Sequence, residues 1–391
     1  MSPIDAKTPA PLAIYIHWPY CARICPYCDF NVYKARDDAA LVSSICQDLS
    51  HWRELSGARE VISVHFGGGT PSLMSAEDIE TILSQIDQLW GIGQTVEIGL
   101  EANPNTATQK KLTGFHMAGI NRLSLGVQSF HNPALEFLGR DHNAKECVTA
   151  IESALGLFPS VSLDLIYGWR GQTAAILDDD LGQALSFGVP HISAYQLTIE
   201  EQTAFGQALT RGENKAVTGD QSADFYDRVD TQLSEAGYEH YEVSNYAKPT
   251  HRSRHNQAYW QGHDYVGVGP GAHGRLTLNN TRHAMITAAH PKDYIDAVQK
   301  NGTAITTHDP MSAEDWRDEY VIMGLRIADG ISLRRLAHIY PDDALLNRAE
   351  GFISDGYLKY EQDQLCATPK GWRLLNHITD KLLIPSFIVK S

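Results

Sequence analysis

Three cysteines, Cys21, Cys25 and Cys28, form a C-x3-C-x2-C array inside Tyr15-Ile16-His17-Trp18-Pro19-Tyr20-Cys21-Ala22-Arg23-Ile24-Cys25-Pro26-Tyr27-Cys28-Asp29-Phe30. Thiolate is the ligand that iron–sulfur clusters select, and thiolates this close in sequence can reach one soft metal centre. The count is informative. A [4Fe–4S] cube held by three cysteines keeps one iron without a protein ligand, free to take a small molecule. Two other readings stand beside it: three buried thiols, or a zinc site. Zinc wants a fourth Cys or His, and the array offers only His17 nearby.

Other residues along the chain have chemistry of their own. Gly67-Gly68-Gly69-Thr70-Pro71 is a backbone able to approach a ligand closely, or simply a tight turn. Glu101 ends an apolar run; its carboxylate can accept from paired hydroxyls or sit in a solvated loop. Arg140 has the planar fork that pairs bidentately with a carboxylate, and equally suits a surface ion pair. His255, in Arg254-His255-Asn256-Gln257-Ala258-Tyr259-Trp260, is either an axial ligand for haem iron with aromatic cover or a packed, hydrogen-bonded histidine. His273, on the turn Gly269-Pro270-Gly271-Ala272-His273-Gly274, competes for that ligand role, and a Cys or Tyr ligand stays open.

The elements that must position these groups follow from apolar patterning. Residues 12–18, 61–66, 96–100, 122–127, 161–167 and 191–198 read as strands. Helical segments over 41–55, 76–90, 106–118, 144–157 and 173–186 alternate with them. Strands and helices at this spacing predict parallel βα units, hence an α/β partial (β/α)6 TIM-like barrel. The cysteines, the glycines, Glu101 and Gln128 then fall at strand C-terminal ends, where barrel sites lie. After a helix over 220–236, residues 312–382 read as helices and a two-stranded wing, a small winged-helix-like domain. The expected organisation is a barrel over 1–210, an extension with the HNQAYW segment over 211–310, and the winged-helix-like domain over 311–391.

Composition narrows the class. Hydrophobic residues at 43% and charged residues at 20% of 391 describe an ordinary globular chain, and a net charge of −15 argues against general nucleic-acid binding. Six cysteines with three clustered do not form a disulfide framework, and a cluster needs a reducing compartment. No apolar leader or membrane span is evident, so the expectation is a cytoplasmic protein with no nucleic-acid partner.

The cysteine array with Tyr27 before its last member resembles the radical S-adenosylmethionine (SAM) superfamily. The resemblance implies that the open iron chelates the amino and carboxylate groups of SAM, whose reductive cleavage would give a 5′-deoxyadenosyl radical. YIHWPYCARICPYCDFN, HFGGGTPSLM, EANP, NRLSLGVQSF, LGRDH, DLIYG and YQLTIE resemble the oxygen-independent coproporphyrinogen III oxidase family. It implies SAM contacts from Tyr15, Tyr27, Gly68, Gly69, Thr70, Glu101, Gln128, Arg140 and Asp164. The segment 241–249 and the H-N-x-x-Y-W of His255–Trp260 are similar to the HemW branch of haem chaperones. Phe30 stands where the oxidase has a fourth cysteine, and only 20 residues precede Cys21. The expected function is therefore haem binding, with His255 as the candidate ligand, and delivery to acceptor haemoproteins of respiratory-chain type. The alternative is coproporphyrinogen III decarboxylation. Whether SAM is cleaved, the electron donor and a homodimer are left open. One departure is clear: relatives read D-L-I-Y-G-L-P, whereas this chain has Trp169-Arg170 after Gly168.

Overall fold

The computed structural model describes residues 10–36, 39–342 and 344–383. Six strands lie where the apolar runs predict them: β1 (Leu12–Trp18), β2 (Val61–Gly68), β3 (Glu97–Ala102), β4 (Arg122–Gln128), β5 (Ser160–Tyr167) and β6 (His191–Gln196). Each pairs in parallel with the next. Helices Ala39–Ser56, Ala76–Trp90, Gln109–Met117, Ala144–Leu155 and Ala174–Ser186 return the chain between them. Two of these helices start with reciprocal caps, Ser75 with Asp78 and Asn143 with Glu146, which fix where each leaves its loop.

Side chains alternate across a strand, and here the two faces differ in chemistry. Ile14, Ile16, Val64, Phe66, Ile98, Leu100, Leu123, Leu125, Leu163 and Leu165 share one core with the helix residues Leu41, Ile45, Ile79, Ile82, Leu112 and Leu177. The opposite face carries Tyr15 and His17, Ser63 and His65, Gly99 and Glu101, Ser124, Ser162 and Asp164, His191 and Ser193. Its members bond one another, as in Ser124 to Asp164 (2.9 Å) and Ser162 to His191 (2.7 Å). A barrel filled only for stability would be lined by branched apolar residues. This one is lined with polar and ionisable side chains.

The sheet runs beyond the expected six strands. β7 (Glu239–Glu242), β8 (Asn245–Ala247), β9 (Asp264–Val268), β10 (His273–Leu278), β11 (Thr281–Thr287) and β12 (Ile305–Pro310) complete a twelve-stranded order β12-β11-β10-β9-β1-β2-β3-β4-β5-β6-β8-β7. β9 runs parallel to β1, and the remaining added pairs are antiparallel. Residues expected to form an extension thus supply both flanks of the same sheet.

A second core gathers Tyr320, Val321, Leu325, Leu336, Leu345, Leu358, Leu365 and Ile378. Helices Ala313–Gly324, Leu333–Ile339 and Leu345–Ser354 precede the hairpin Leu358–Glu361 and Gln364–Ala367, with Ile331–Ser332 as its third strand. This is the winged-helix arrangement. Two short helices, Pro369–Trp372 and Leu375–Leu382, close the domain, separated at Arg373 and Leu374. No helix among the described residues is long and apolar enough to cross a membrane.

Candidate functional site

The cysteine loop begins where β1 ends. Tyr20–Cys21 pairs with Tyr33–Lys34 and closes the loop that carries Cys25 and Cys28. The Phe205 N–H donates to Pro26 O at 2.9 Å, and Gly139 (φ +69°) has no room for a Cβ, which would stand 2.5 Å from Pro26 Cδ. All three cysteines are free thiols. Thr70 Oγ1 lies 3.5 Å from Cys21 Sγ and Arg140 Nη1 3.3 Å from Cys25 Sγ. Burial pushes the Cys21 thiol up and the Cys28 thiol to about 11. His17 is already committed: Nδ1 bonds Tyr15 OH at 3.1 Å and Nε2 bonds Asn31 O at 2.9 Å. No three His, Cys, Asp or Glu groups converge on a single-ion site among the described residues. A donor set of three free thiols with an arginine and a threonine beside it fits a [4Fe–4S] cluster with one open iron.

The other expected SAM residues lie on β1 to β5 and on the loops that follow them. The triple glycine is shaped by packing. Gly69 N–H donates to Trp18 O at 2.7 Å and Thr70 N–H to Tyr20 O at 2.8 Å, so these two donors are spent on protein rather than exposed. A Cβ on Gly68 (φ +104°) would meet the His17 ring at 2.6 Å. Glu101 accepts from His65 Nε2 at 3.1 Å, and its side chain stays 39% exposed. Gln128 sits at φ 66°, a left-handed conformation rare for a non-glycine residue, where the β4–β5 register slips. Its Oε1 is buried without a partner among the described residues. Such strain costs roughly 1–3 kcal/mol and gathers at ligand clamps. Arg140 spends its fork inward: Nη2 donates to Asn103 Oδ1 (2.6 Å) and Gly126 O (3.2 Å), Nη1 to Tyr27 OH (3.3 Å) and Cys25. It is neither a surface ion pair nor a free fork. Asp164 accepts from Ser124 Oγ, and burial pushes its carboxyl up to about 6 against the Ser193 and Ser124 hydrogen bonds.

His255 is buried and fully bonded. It lies on the helix Arg254–Trp260, capped by Ser253, and is 1% exposed. Nδ1 bonds Ser63 Oγ at 2.9 Å, Nε2 bonds Tyr259 OH at 2.7 Å, and its N–H donates to Glu97 at 3.1 Å. Burial, then the neighbouring His65, holds the imidazole well below its usual pKa, so it stays neutral. With both nitrogens bonded and no exposed edge, this histidine has the geometry of the packed alternative. His273, at the start of β10, is exposed and close enough to His17 to depress its pKa, although burial is the larger cause. Sequence reasoning passed over His65, which stacks on His255 with ring centroids 4.8 Å apart. Its signal is the alternation Ser63, His65, Gly67 on the polar face of β2.

The Trp169-Arg170 departure belongs to a side cluster. Trp169 packs on Phe137 (5.6 Å) in an apolar group with Phe205 and Tyr27, under the cysteine loop. Arg170 has the N–H that proline lacks and uses it on Lys215 O at 2.8 Å.

The sequence profile of the radical SAM superfamily matches residues 15–183, and that of the HemN C-terminal domain residues 311–374. The heme chaperone HemW of Haemophilus influenzae is 34% identical over 384 residues, which is 95% of this chain and 98% of that protein. The chain belongs to the HemW family. HemW of Escherichia coli is likewise 34% identical, over 382 residues, 95% of this chain and 98% of that protein. A bovine mitochondrial radical S-adenosyl methionine domain-containing protein 1 is 38% identical over 337 residues, 83% of this chain and 76% of that protein. Coproporphyrinogen III oxidase (HemN) from Escherichia coli shares the fold, with a TM-score of 0.81 at 21% identity over 97% of this chain and 91% of that one. In this HemW-family chain Phe30 is 60% exposed beside the cysteine loop.

Proposed function

We propose that this HemW-family chain is a haem chaperone that takes up haem beside a SAM-binding [4Fe–4S] site and delivers it to acceptor haemoproteins, those of respiratory chains being the expected class, in a reducing cytoplasm. Similarity to HemW proteins over nearly the full length of both chains is the observation that carries this reading.

Cys21, Cys25 and Cys28 would hold the cluster, whose open iron would supply the seat for the amino and carboxylate groups of SAM. Arg140 holds the loop against Cys25 and Tyr27 and keeps a positive charge next to the thiolates. Glu101 would accept the ribose hydroxyls with its exposed oxygen, and Asp164 and Gln128 offer acceptors on β5 and β4. Tyr15 walls the site, and Gly68, Gly69 and Thr70 let β2 close on the cysteine loop. For haem, His273 has the exposed ring that His255 lacks.

The test uses anaerobically reconstituted protein with SAM, a strong reductant and coproporphyrinogen III. Product porphyrins are separated by chromatography, 5′-deoxyadenosine is quantified in the same tubes, and haem binding is titrated in parallel. Stoichiometric haem uptake without decarboxylation is expected. Protoporphyrinogen formed over many turnovers would overturn the chaperone reading in favour of the oxidase.

A further inference from the structure

The HNQAYW helix lies beneath the polar face of the sheet, and His255 on it reaches the expected ribose seat through a stack of rings. His255 lies against His65 with centroids 4.8 Å apart and planes 19° apart. Tyr15 lies against both, at 6.1 and 6.3 Å. Hydrogen bonds fix each end. Ser63 Oγ and Tyr259 OH hold the two nitrogens of His255 at 2.9 and 2.7 Å, and His65 Nε2 donates to Glu101 Oε1 at 3.1 Å. There is no slack around the stack. A Cβ on Gly99 would stand 2.5 Å from His65 Nδ1, and one on Gly67 would meet Tyr15 Cε2 at 2.9 Å and Glu101 Oε1 at 3.0 Å. The His65 ring is thus held at its edge by the Gly99 backbone and on its face by His255. A second branch leaves Tyr15, whose OH bonds His17, and His17 bonds Asn31 O in the cysteine loop.

We propose that His255 and Tyr259 are positioning residues for SAM. They hold His65, and His65 holds the Glu101 carboxylate in the orientation that receives the ribose. The inference rests on the reading that Glu101 accepts the ribose hydroxyls. Glu101 is part exposed, so without His65 behind it the carboxylate swings freely and the cost of fixing it falls on binding. On this account the motif that marks the chaperone branch acts on the cofactor seat and does not supply the haem ligand.

The experiment measures SAM affinity by calorimetry and haem binding by visible absorption on the reconstituted full-length holoprotein. His255→Ala is expected to raise the SAM Kd about tenfold, or about 1.4 kcal/mol. Tyr259→Phe removes one oxygen and keeps the packing, and is expected to raise it about threefold. Haem absorption maxima stay in place in both. Glu101→Gln also weakens SAM, and adding His255→Ala to it changes the Kd by less than a further twofold, because the route to SAM runs through Glu101. A normal SAM Kd in His255→Ala and Tyr259→Phe, with Glu101→Gln weakened, overturns the positioning role and leaves the ribose reading standing. An unaffected Glu101→Gln overturns the ribose reading and this inference with it. Lost haem absorption in His255→Ala at unchanged SAM affinity returns His255 to the ligand role.

Discussion

Replacing Glu242 by glutamine is expected to stabilise the protein at alkaline pH while changing little near pH 5. Glu242 ends β7 at the junction with the C-terminal domain, where Val243 N–H donates to Arg326 O (3.1 Å) and Ala328 N–H to Tyr241 O (2.9 Å). The carboxyl is 1% exposed, its Oε1 has no partner among the described residues, and Oε2 receives one long bond from Ser244 N–H at 3.4 Å. Tyr195 and Tyr241 are the titratable groups near it, and they bring no positive charge. Burial therefore lifts its pKa from 4.5 to about 8. Because the folded pKa is raised, the native state keeps a proton that the unfolded chain has released. Stability falls as pH climbs from about 4.5 to about 8, and the cost is complete above that. Three and a half pH units at about 1.4 kcal/mol each set a ceiling of about 5 kcal/mol. Water drawn to the ion brings the expected difference at pH 9 to about 2–3 kcal/mol. Urea unfolding of anaerobic holoprotein at pH 5, 7 and 9 measures it as wild type against Glu242→Gln, so other titrating groups cancel. The glutamine amide adds a constant offset, and only the growth of the difference with pH is diagnostic. A difference that stays constant from pH 5 to 9 would refute the reasoning.

Three further outcomes follow from single contacts. Arg140→Lys cannot serve Cys25 and Tyr27 with one nitrogen and Asn103 and Gly126 with another, so iron content after reconstitution should fall and the SAM Kd should rise about tenfold, read by iron assay and calorimetry. Trp169→Ala removes the centre of the side cluster under the cysteine loop and is expected to cost about 3 kcal/mol, with faster cluster bleaching in air, followed by absorbance. Arg170→Pro restores the usual family residue but deletes the N–H that bonds Lys215 O, and should lower stability by about 1 kcal/mol in thermal melts; a rise would refute the assignment of that bond.

The six parallel strands were legible because each is an apolar run between helices with clear caps, as at Ser75 and Asn143. Their ends were less so. β2 and β4 run on to Gly68 and Gln128, since glycine and polar residues read as turns while the ladder continues through them. The flanking strands were hidden for a different reason. β8 is three residues, Asn245–Ala247, too short to show alternation, and its place beside β6 is set by pairing with Ser193, Ile192 and His191. Asp264–Val268 has an apolar stretch, but nothing local tells it to lie parallel to Leu12–Ile16. Pairings of that span are tertiary facts.

The site divides the same way. The cysteine loop is close in sequence, so its spacing alone exposes its chemistry. His255 is decided by partners far along the chain, Ser63 at a separation of 192 residues and Glu97 at 158. A histidine flanked by Tyr259 and Trp260 has the composition of a haem ligand and of a packed turn alike, and only the count of free nitrogens separates them. That count depends on which face of β2 holds Ser63 and His65. The polar alternation on β1 to β6 already marks this face in the sequence: Tyr15 and His17, Ser63 and His65, Gly99 and Glu101, Ser162 and Asp164, Ser193 and Tyr195 occupy alternate positions. Once that face is taken as the inner wall of a ligand chamber, hydrogen-bond partners favour a buried histidine beneath it, because an unpaired polar atom there costs about 1–3 kcal/mol. Ser63 and Tyr259 occupy both nitrogens of His255, and the Ser63 partner is set by the tertiary fold.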